Sequence, residues 1–224
     1  MEIDIRGDII SNDDKWFYDW LEWDGTCPND VKKALDNKSP SEKLTVIINS
    51  GGGLVTAGSE IYSMLVGRND VEIVIRSMAG SAASVIAMAN HSKITPVGLI
   101  MIHNVSISGV HGDYHEMEKN AEILKNINSA LAQSYVKKTG KTEAEILEMM
   151  DKETWLTANQ ALELGFVDEI LEESGTNVLL TNSINQNGIR LTDEIREKVK
   201  MEQKQKENEK MKNDLLKDLD LYGI

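Results

Sequence analysis

The fold of this chain is decided by a short stretch of small residues, Met78-Ala79-Gly80-Ser81-Ala82-Ala83-Ser84-Val85. The run before it, Val71 to Ile75, is rich in β-branched residues and predicts a buried strand, while Val85 to Ala89 predicts a buried helix. A strand that turns sharply into a helix needs small side chains, because its backbone passes close to neighbouring elements. The stretch therefore predicts a tight strand–turn–helix junction.

Such a junction can present a nucleophile. The N–H groups at a helix N-terminus have no partner within the helix and lie at the positive end of its dipole, so they can stabilise an oxyanion. On this reasoning Ser84 is the candidate nucleophile. A plain packing joint explains the same small residues, and the stretch alone leaves both interpretations open.

The flanking segments predict an α/β fold with a parallel sheet. Leu44 to Asn49 has the continuous apolar character of a strand covered on both faces, and it runs directly into Gly51-Gly52-Gly53. Apolar residues at helical spacing follow from Ala57 to Val66, so strand, glycine turn, helix and strand form a βαβ unit. The pattern repeats through Ser84 to a further strand at Leu99 to His103.

The glycine triplet after the first buried strand could indicate a phosphate-binding loop. The spacing G-x-G-x-x-G and the Gly-Lys-Ser/Thr ending of a P-loop are both absent, however. What remains is a backbone that can approach a ligand closely, which suits an oxyanion or an extended peptide. A simple turn is the alternative interpretation.

His103 is the best candidate for a general base. It ends a strand that would lie beside the helix begun by Ser84, and an imidazole titrates near ~6.5. The other histidines fit less well, since His91 lies beyond that helix, while His111 and His115 lie in a Gly-rich turn and at the head of a polar helix. No metal-ligand spacing such as H-E-x-x-H occurs, so we expect neither a metal nor another cofactor.

Composition excludes several classes of protein. Hydrophobic residues make up 41% of the 224 residues, which is sufficient for a packed core. The net charge of −13 argues against binding to nucleic acid or to an anionic membrane surface. Cys27 is the only cysteine, residues 1–10 lack the apolar core of a signal peptide, and no apolar run approaches the ~18 residues of a membrane span. We therefore expect a cytoplasmic protein.

Taken together, these motifs resemble the family of the Clp protease proteolytic subunit (ClpP), in the order in which that family has them. The resemblance covers residues 1–172 and implies a ClpP/crotonase-like fold of repeated β-β-α units with a projecting handle helix. The matching segments are the strand and glycine loop Ile47–Gly53, the nucleophile motif Gly80–Ser84, the histidine segment Met101–Asn104, Gly109 and Gly112 before a helix to Thr139, and the closing segment Trp155–Asp168.

This resemblance implies a serine endopeptidase with the triad Ser84, His103 and Asp151, in which the carboxylate fixes the imidazole tautomer. Glu153 stays a competitor of Asp151, because the segment before Trp155 is shorter than in housekeeping members.

The resemblance also implies where a peptide would bind. The oxyanion would rest on the N–H groups of Gly52 and Val85. The substrate would lie as an added strand along the glycine-rich segments, with Gly53, Gly109, Val110 and Gly112 as its binding residues.

Partners follow from the resemblance as well. Because the matching helix stacks rings in the family, we expect a homo-oligomeric ring, a heptamer or a double heptamer. Gly51 stands where the family has proline, and the segment before Trp155 is compact. Both features resemble ClpP-related proteases of phage and prophage head-assembly modules, which implies scaffold, portal or capsid proteins as substrates during prohead maturation, in the host cytoplasm or within assembling proheads. The alternatives are a housekeeping subunit fed by an ATPase unfoldase, and a catalytically silent assembly protein on the same fold.

The sequence divides into a protease domain at 1–172, a polar linker at 173–191 with a strand-like piece at Val178–Leu180, and a charged helical tail at 192–224. The tail ends in a leucine-rich segment and is interpreted either as a solvated helix or as a docking peptide.

Overall fold

The computed structural model describes residues 1–171, together with 200–202, 204 and 206. Residues 1–171 form strands and helices in alternation, which confirms the predicted α/β class. The strands β1 to β8 are Glu2–Ile9, Gly25–Thr26, Leu44–Gly53, Val71–Gly80, Ser92–Ile94, Leu99–Ile102, Thr154–Thr157 and Glu169–Ile170. The helices α1 to α7 are Lys15–Trp20, Pro28–Asn37, Val55–Leu65, Ala82–Ala87, Tyr114–Thr139, Glu143–Asp151 and Ala158–Glu163.

The described strands form one sheet in the order β2-β1-β3-β4-β5-β8, with every neighbouring pair in this order parallel. Strand β6 lies off this path and pairs with β4 in parallel and with β7 antiparallel. The predicted βαβ unit is therefore present as β3, α3 and β4.

Strand β4 pairs with two different strands along its length, and the second of these pairings positions the site. Its residues Ile73–Ile75 pair with β5, while Met78–Gly80 pair with Leu99–Met101 of β6. Because the carboxyl ends of parallel neighbours lie at the same edge of a sheet, the residues that follow β4 and β6 are brought together. Those residues are Ser81 and His103.

The core lies between the sheet and the helices that follow its strands. Strands β3 and β4 bury branched side chains along their length, and α3 and α4 cover them with small and branched residues. Each fully buried aliphatic side chain contributes about 1.5–3 kcal/mol. Members of this core with no exposed surface include Ile5, Leu44, Val46, Ile48, Ile61, Leu65, Ile73, Ile75 and Ile86.

Helix α5 is the projecting handle helix that the resemblance implied. The Asp113 side chain caps its start by accepting the N–H groups of His115 and Glu116, and Gly140 in the left-handed region ends it. Of its 26 residues, only Ala132, Ser134 and Tyr135 are buried, all near its C-terminal end. The N-terminal half therefore extends away from the core.

Residues 12–24 contain a 3-10 turn at Asn12–Asp14 and the short helix α1. Phe17 and Tyr18 of this helix are buried, and Trp16, Trp20 and Trp23 surround the Phe17 ring. The two adjacent buried aromatic residues hold this helix against the rest of the protein, although the sequence shows no apolar residues at helical spacing there.

The predicted linker at 173–191, its piece Val178–Leu180 and most of the tail at 192–224 lie outside the described residues. Residues 200–202, 204 and 206 are helical and belong to a separate unit of the chain. None of the helices in the described part of the chain has the length and apolar character that a bilayer crossing requires.

Candidate active site

The turn between β4 and α4 consists of Ser81, whose backbone is unusual. Its φ of 51° and ψ of −122° lie in a region that residues with a side chain rarely adopt. The N–H of Ser81 donates to the carbonyl of Met101 in β6 at 2.8 Å, and its carbonyl accepts the N–H groups of Ser84 and Val85 at 2.9 and 3.2 Å. Neighbouring strand and helix therefore hold the strained residue from both sides.

His103 faces this turn. Its Nε2 atom lies 2.8 Å from the Oγ atom of Ser81, which is hydrogen-bonding distance. A serine hydroxyl in contact with an imidazole nitrogen is the arrangement that allows the imidazole to take the hydroxyl proton. The structure thus brings His103, as predicted for the base, to Ser81.

Ser84, the predicted nucleophile, does not occupy this position, and the prediction is corrected on that geometry. Its side chain is fully buried. The Oγ atom donates to the carbonyl of Ser81 at 2.6 Å and lies 2.7 Å from the Tyr135 hydroxyl. In this arrangement the Ser84 hydroxyl is enclosed, and its proton is bonded to a backbone carbonyl and not to His103.

Gly52 of the glycine loop, which the resemblance implied as an oxyanion donor, lies against the Ser81 turn. Its φ is 110°, and a Cβ atom there would lie 2.7 Å from the Cβ of Ser81 and 3.1 Å from the backbone nitrogen of Ala82. The N–H of Gly52 donates to the Ser50 hydroxyl at 3.1 Å. Only a residue without a side chain fits this close approach of two backbones.

The second predicted oxyanion donor, Val85, is corrected. Its N–H donates to the Ser81 carbonyl within the first turn of α4, so it is already used. Ala82 is the first residue of α4, a position at which a helix supplies no acceptor for the N–H group. This N–H also belongs to the backbone that approaches Gly52.

Two carboxylates come shortly before β7, the strand that pairs with β6, which His103 directly follows. Asp151 ends α6, and its Oδ1 atom accepts a hydrogen bond at 2.7 Å from the side chain of Asn104, the residue after His103. Glu153 has a positive φ of 49° and accepts from the Trp155 indole N–H at 3.2 Å.

The register between β6 and β7 distinguishes these two carboxylates. It ends with Ile102 opposite Thr154. Glu153 directly precedes β7 and His103 directly follows β6, so both residues come at this end of the strand pair.

The predicted substrate-binding residues fall into two groups. Gly53 pairs with Ile9 of β1, and a Cβ atom there would lie 2.2 Å from the Ile9 carbonyl oxygen, so this glycine is required by the sheet itself. Residues 103–113 form no helix or strand, and Gly109 and Gly112 are exposed in this segment. The glycine-rich strand that the resemblance implied is thus absent from this segment.

A small pocket opens beside the Ser81–His103 pair. Its walls are mostly apolar. The lining residues are Val55, Ser59, Ala82, Val85, Val105, Leu131, Tyr135 and Met150, in addition to Ser81 and His103 themselves. Burial raises the pKa of Tyr135, although its bond with Ser84 lowers it, and the phenol therefore stays neutral. Within residues 1–171 and the described residues beyond them, no three His, Cys, Asp or Glu side chains are arranged to hold a metal ion.

Fold and site together define a class: an α/β protein that presents a serine–histidine pair of the kind that serine peptidases use. The Clp protease family profile matches residues 32–174, which include Gly52, Ser81, His103, Asp151 and Glu153. The chain belongs to the Clp protease family. Membership of this family implies a serine peptidase.

Individual relatives agree with this assignment. The chain is 34% identical over 143 residues to the ATP-dependent Clp protease proteolytic subunit 2 of Tropheryma whipplei (strain Twist), an alignment that covers 62% of this chain and 79% of the relative. It is 31% identical to the ATP-dependent Clp protease proteolytic subunit 1 of Protochlamydia amoebophila (strain UWE25), over 66% of this chain and 75% of the relative. The corresponding subunit 1 of Corynebacterium glutamicum is also 31% identical, with the same shares covered.

Proposed function

We propose that the chain is a serine endopeptidase in which Ser81 is the nucleophile and His103 the general base. The contact of 2.8 Å between Nε2 and Oγ, at a strained turn between β4 and α4, carries this proposal. Ser81 attacks the scissile carbonyl while His103 takes its proton, and His103 then protonates the leaving amine. Water hydrolyses the acyl-enzyme with His103 again as base.

The oxyanion is expected to rest on the N–H groups of Gly52 and Ala82. The N–H of Gly52 donates to Ser50 in the described state, so the substrate carbonyl oxygen has to replace the Ser50 hydroxyl as its acceptor. The N–H of Ala82 is at the open end of α4. Each such donor is worth about 10²–10³ in rate.

For the third member of the triad, the strand register favours Glu153 over Asp151. Glu153 directly precedes β7 at the end of the strand pair where His103 directly follows β6, whereas Asp151 accepts from Asn104. Positive φ values at non-glycine residues cluster at functional sites, and both Ser81 and Glu153 have them.

The substrate is an extended polypeptide. The apolar pocket beside Ser81 would take an apolar side chain, and the exposed segment that contains Gly109, Val110 and Gly112 would pair with the substrate backbone as the substrate binds.

A fluorophosphonate probe tests the nucleophile. Intact-mass and peptide-mass analysis should place the label on Ser81, and Ser81→Ala should abolish labelling while Ser84→Ala retains it. The two variants are matched, because each removes one hydroxyl from the same turn. A label on Ser84, or a labelled Ser81→Ala variant, would refute the proposed mechanism. A well-folded wild type that takes no label would favour the catalytically silent assembly protein.

For the biological context, the named relatives favour a proteolytic subunit that works as a homo-oligomeric ring with an ATPase unfoldase, because they are ATP-dependent Clp proteases. ATP-dependent degradation of a stably folded substrate, seen only when an unfoldase is added, would support this role.

Head maturation is the second candidate. Two features of the sequence favour it: Gly51 at the family's proline position and the compact segment before Trp155. Shortened scaffold, portal or capsid proteins on co-expression, lost in Ser81→Ala, would identify this role instead.

A further inference from the structure

A buried chain of hydrogen bonds joins helix α5 to the turn that bears the proposed nucleophile. The Tyr135 hydroxyl lies 2.7 Å from the Oγ atom of Ser84, and that Oγ atom lies 2.6 Å from the carbonyl oxygen of Ser81. Ser84 has no exposed surface and Tyr135 is 2% exposed. This series of hydrogen bonds thus ends on the backbone of Ser81, the residue whose side chain faces His103.

The direction of the protons in this chain follows from the chemistry of its groups. A backbone carbonyl only accepts, so the single Ser84 hydroxyl proton must be donated to Ser81. Ser84 then has only lone pairs to offer to Tyr135, and the Tyr135 hydroxyl must be the donor. Burial holds the pKa of Tyr135 above its ordinary value, which keeps that phenol protonated.

The Ser81 carbonyl, at the end of this series of hydrogen bonds, shares a peptide unit with the N–H of Ala82, one of the two proposed oxyanion donors. The C=O of Ser81 and the N–H of Ala82 belong to one peptide unit, and because that unit is planar the two groups point in opposite directions. Whatever fixes the direction of the carbonyl therefore fixes the direction of the Ala82 N–H. The Ser81 carbonyl accepts from the Ser84 hydroxyl in addition to the N–H groups of Ser84 and Val85.

We propose that Ser84 and Tyr135 are positioning residues for catalysis, which hold the Ser81–Ala82 peptide so that the Ala82 N–H meets the oxyanion. This inference rests on the proposed function, since it requires Ser81 to be the nucleophile. Ser84 acts on the peptide directly, and Tyr135 acts through Ser84. The strained backbone of Ser81 is the reason that such a restraint is needed, because a residue at φ 51° and ψ −122° relaxes unless its surroundings hold it.

The test measures the rate constant and the end point of fluorophosphonate labelling on the full chain. Ser84→Ala should lower the rate constant about tenfold, as expected for the loss of one buried hydrogen bond to a reacting unit. The labelled fraction at the end point should stay that of the wild type. Tyr135→Phe should have a smaller effect, about threefold, because Ser84 keeps its bond to the carbonyl. The double variant should match Ser84→Ala alone, since Tyr135 has nothing to act on once the hydroxyl is gone.

Two matched controls separate positioning from stability. Ser134→Ala removes another buried serine hydroxyl that donates to the carbonyl three residues before it in a helix, at 2.7 Å from Leu131. Tyr18→Phe removes another buried phenol hydroxyl, which donates to Asp8 at 2.8 Å. Both controls should label at the rate of the wild type.

The outcomes distinguish the two proposals. If Ser81→Ala is inert but Ser84→Ala labels at the wild-type rate, the positioning role is wrong while the proposed function stands. A reduced end point with an unchanged rate constant, or an additive double variant, would equally overturn positioning. If Ser84→Ala is inert and Ser81→Ala reacts, the proposed function itself has failed.

Discussion

The Ser81 turn and the segment 103–113 meet where His103 contacts Ser81, yet the two regions are built in opposite ways. In the turn, β6 and α4 hold both backbone groups of Ser81, and a buried serine adds a bond to its carbonyl. The segment after His103 forms no strand and is largely exposed, with the N–H of Val105 bonded to the Asn128 side chain of α5. The chain therefore holds the proposed nucleophile by its own contacts, whereas the proposed peptide-binding segment forms no strand of its own. We expect changes in the turn to alter kcat and changes in the segment to alter KM.

The largest effect is expected at the turn itself. Ser81→Ala should lower kcat for a fluorogenic peptide by on the order of 10⁶, because the nucleophile is lost. Circular dichroism and thermal unfolding should match the wild type, since only a hydroxyl at the turn is removed. Peptide cleavage by this variant at more than trace rates would mean that the nucleophile lies elsewhere. The Ser81 turn would then differ from the segment 103–113 in structure but not in its role in catalysis.

The next effect concerns Glu153, the carboxylate proposed to orient His103. Glu153→Gln should lower kcat by about 10³–10⁴, because an amide neither fixes the imidazole tautomer nor stabilises the imidazolium. Asp151→Asn is the matched control and should lower kcat less than about tenfold, since its oxygen bonded to Asn104 remains. Steady-state kinetics of both variants with one peptide substrate will show which of the two substitutions lowers kcat more. The reverse ranking would make Asp151 the third member.

Gly52→Ala tests how closely the glycine loop meets the turn. The added Cβ would lie 2.7 Å from that of Ser81, and φ 110° strains any residue with a side chain. Displacement of one oxyanion donor should lower kcat by about 10²–10³ with little change in KM. Gly51→Ala is the control, because a Cβ there meets nothing within 4 Å. Equal rates for the two variants would contradict an oxyanion site at Gly52.

On the proposed mechanism, the sequence identified the right stretch and the wrong serine, for a reason that lies in the sheet. The apolar pattern of β4 ends at Ile75, but the strand continues to Gly80 because β6 pairs with its last residues. Ending the strand early placed the helix start at Val85 and moved the expected nucleophile by one helical turn. The run from Ala82 to Ala87 was the available signal, since an unbroken small and apolar segment puts Ser84 inside a helix and leaves Ser81 as the residue before it.

The place of His103 at the Ser81 turn could be predicted from the apolar pattern of the strand that it follows, and that of Gly52 from the resemblance of the glycine loop. The position of Glu153 could not, because it depends on the antiparallel pairing of β6 with β7, two short strands separated by the whole of α5 and α6. Local patterns do not report such a pairing. The contact of Tyr135 with Ser84 could not be predicted either. In the sequence Tyr135 is one residue of an amphipathic stripe on α5, and only tertiary packing brings it to Ser84.

The smallest effect is expected in the exposed segment 103–113. It tests the same comparison with the Ser81 turn, now by a change on the proposed peptide-binding side. Val110→Pro removes one backbone N–H, so a substrate that adds as a strand loses one main-chain bond. KM should rise about threefold to tenfold while kcat stays near that of the wild type. Val110→Ala, which keeps the N–H, should leave both constants unchanged and thus separates the backbone group from the side chain. A fall in kcat at constant KM would instead mean that this segment helps to hold His103, and that the two regions are not independent.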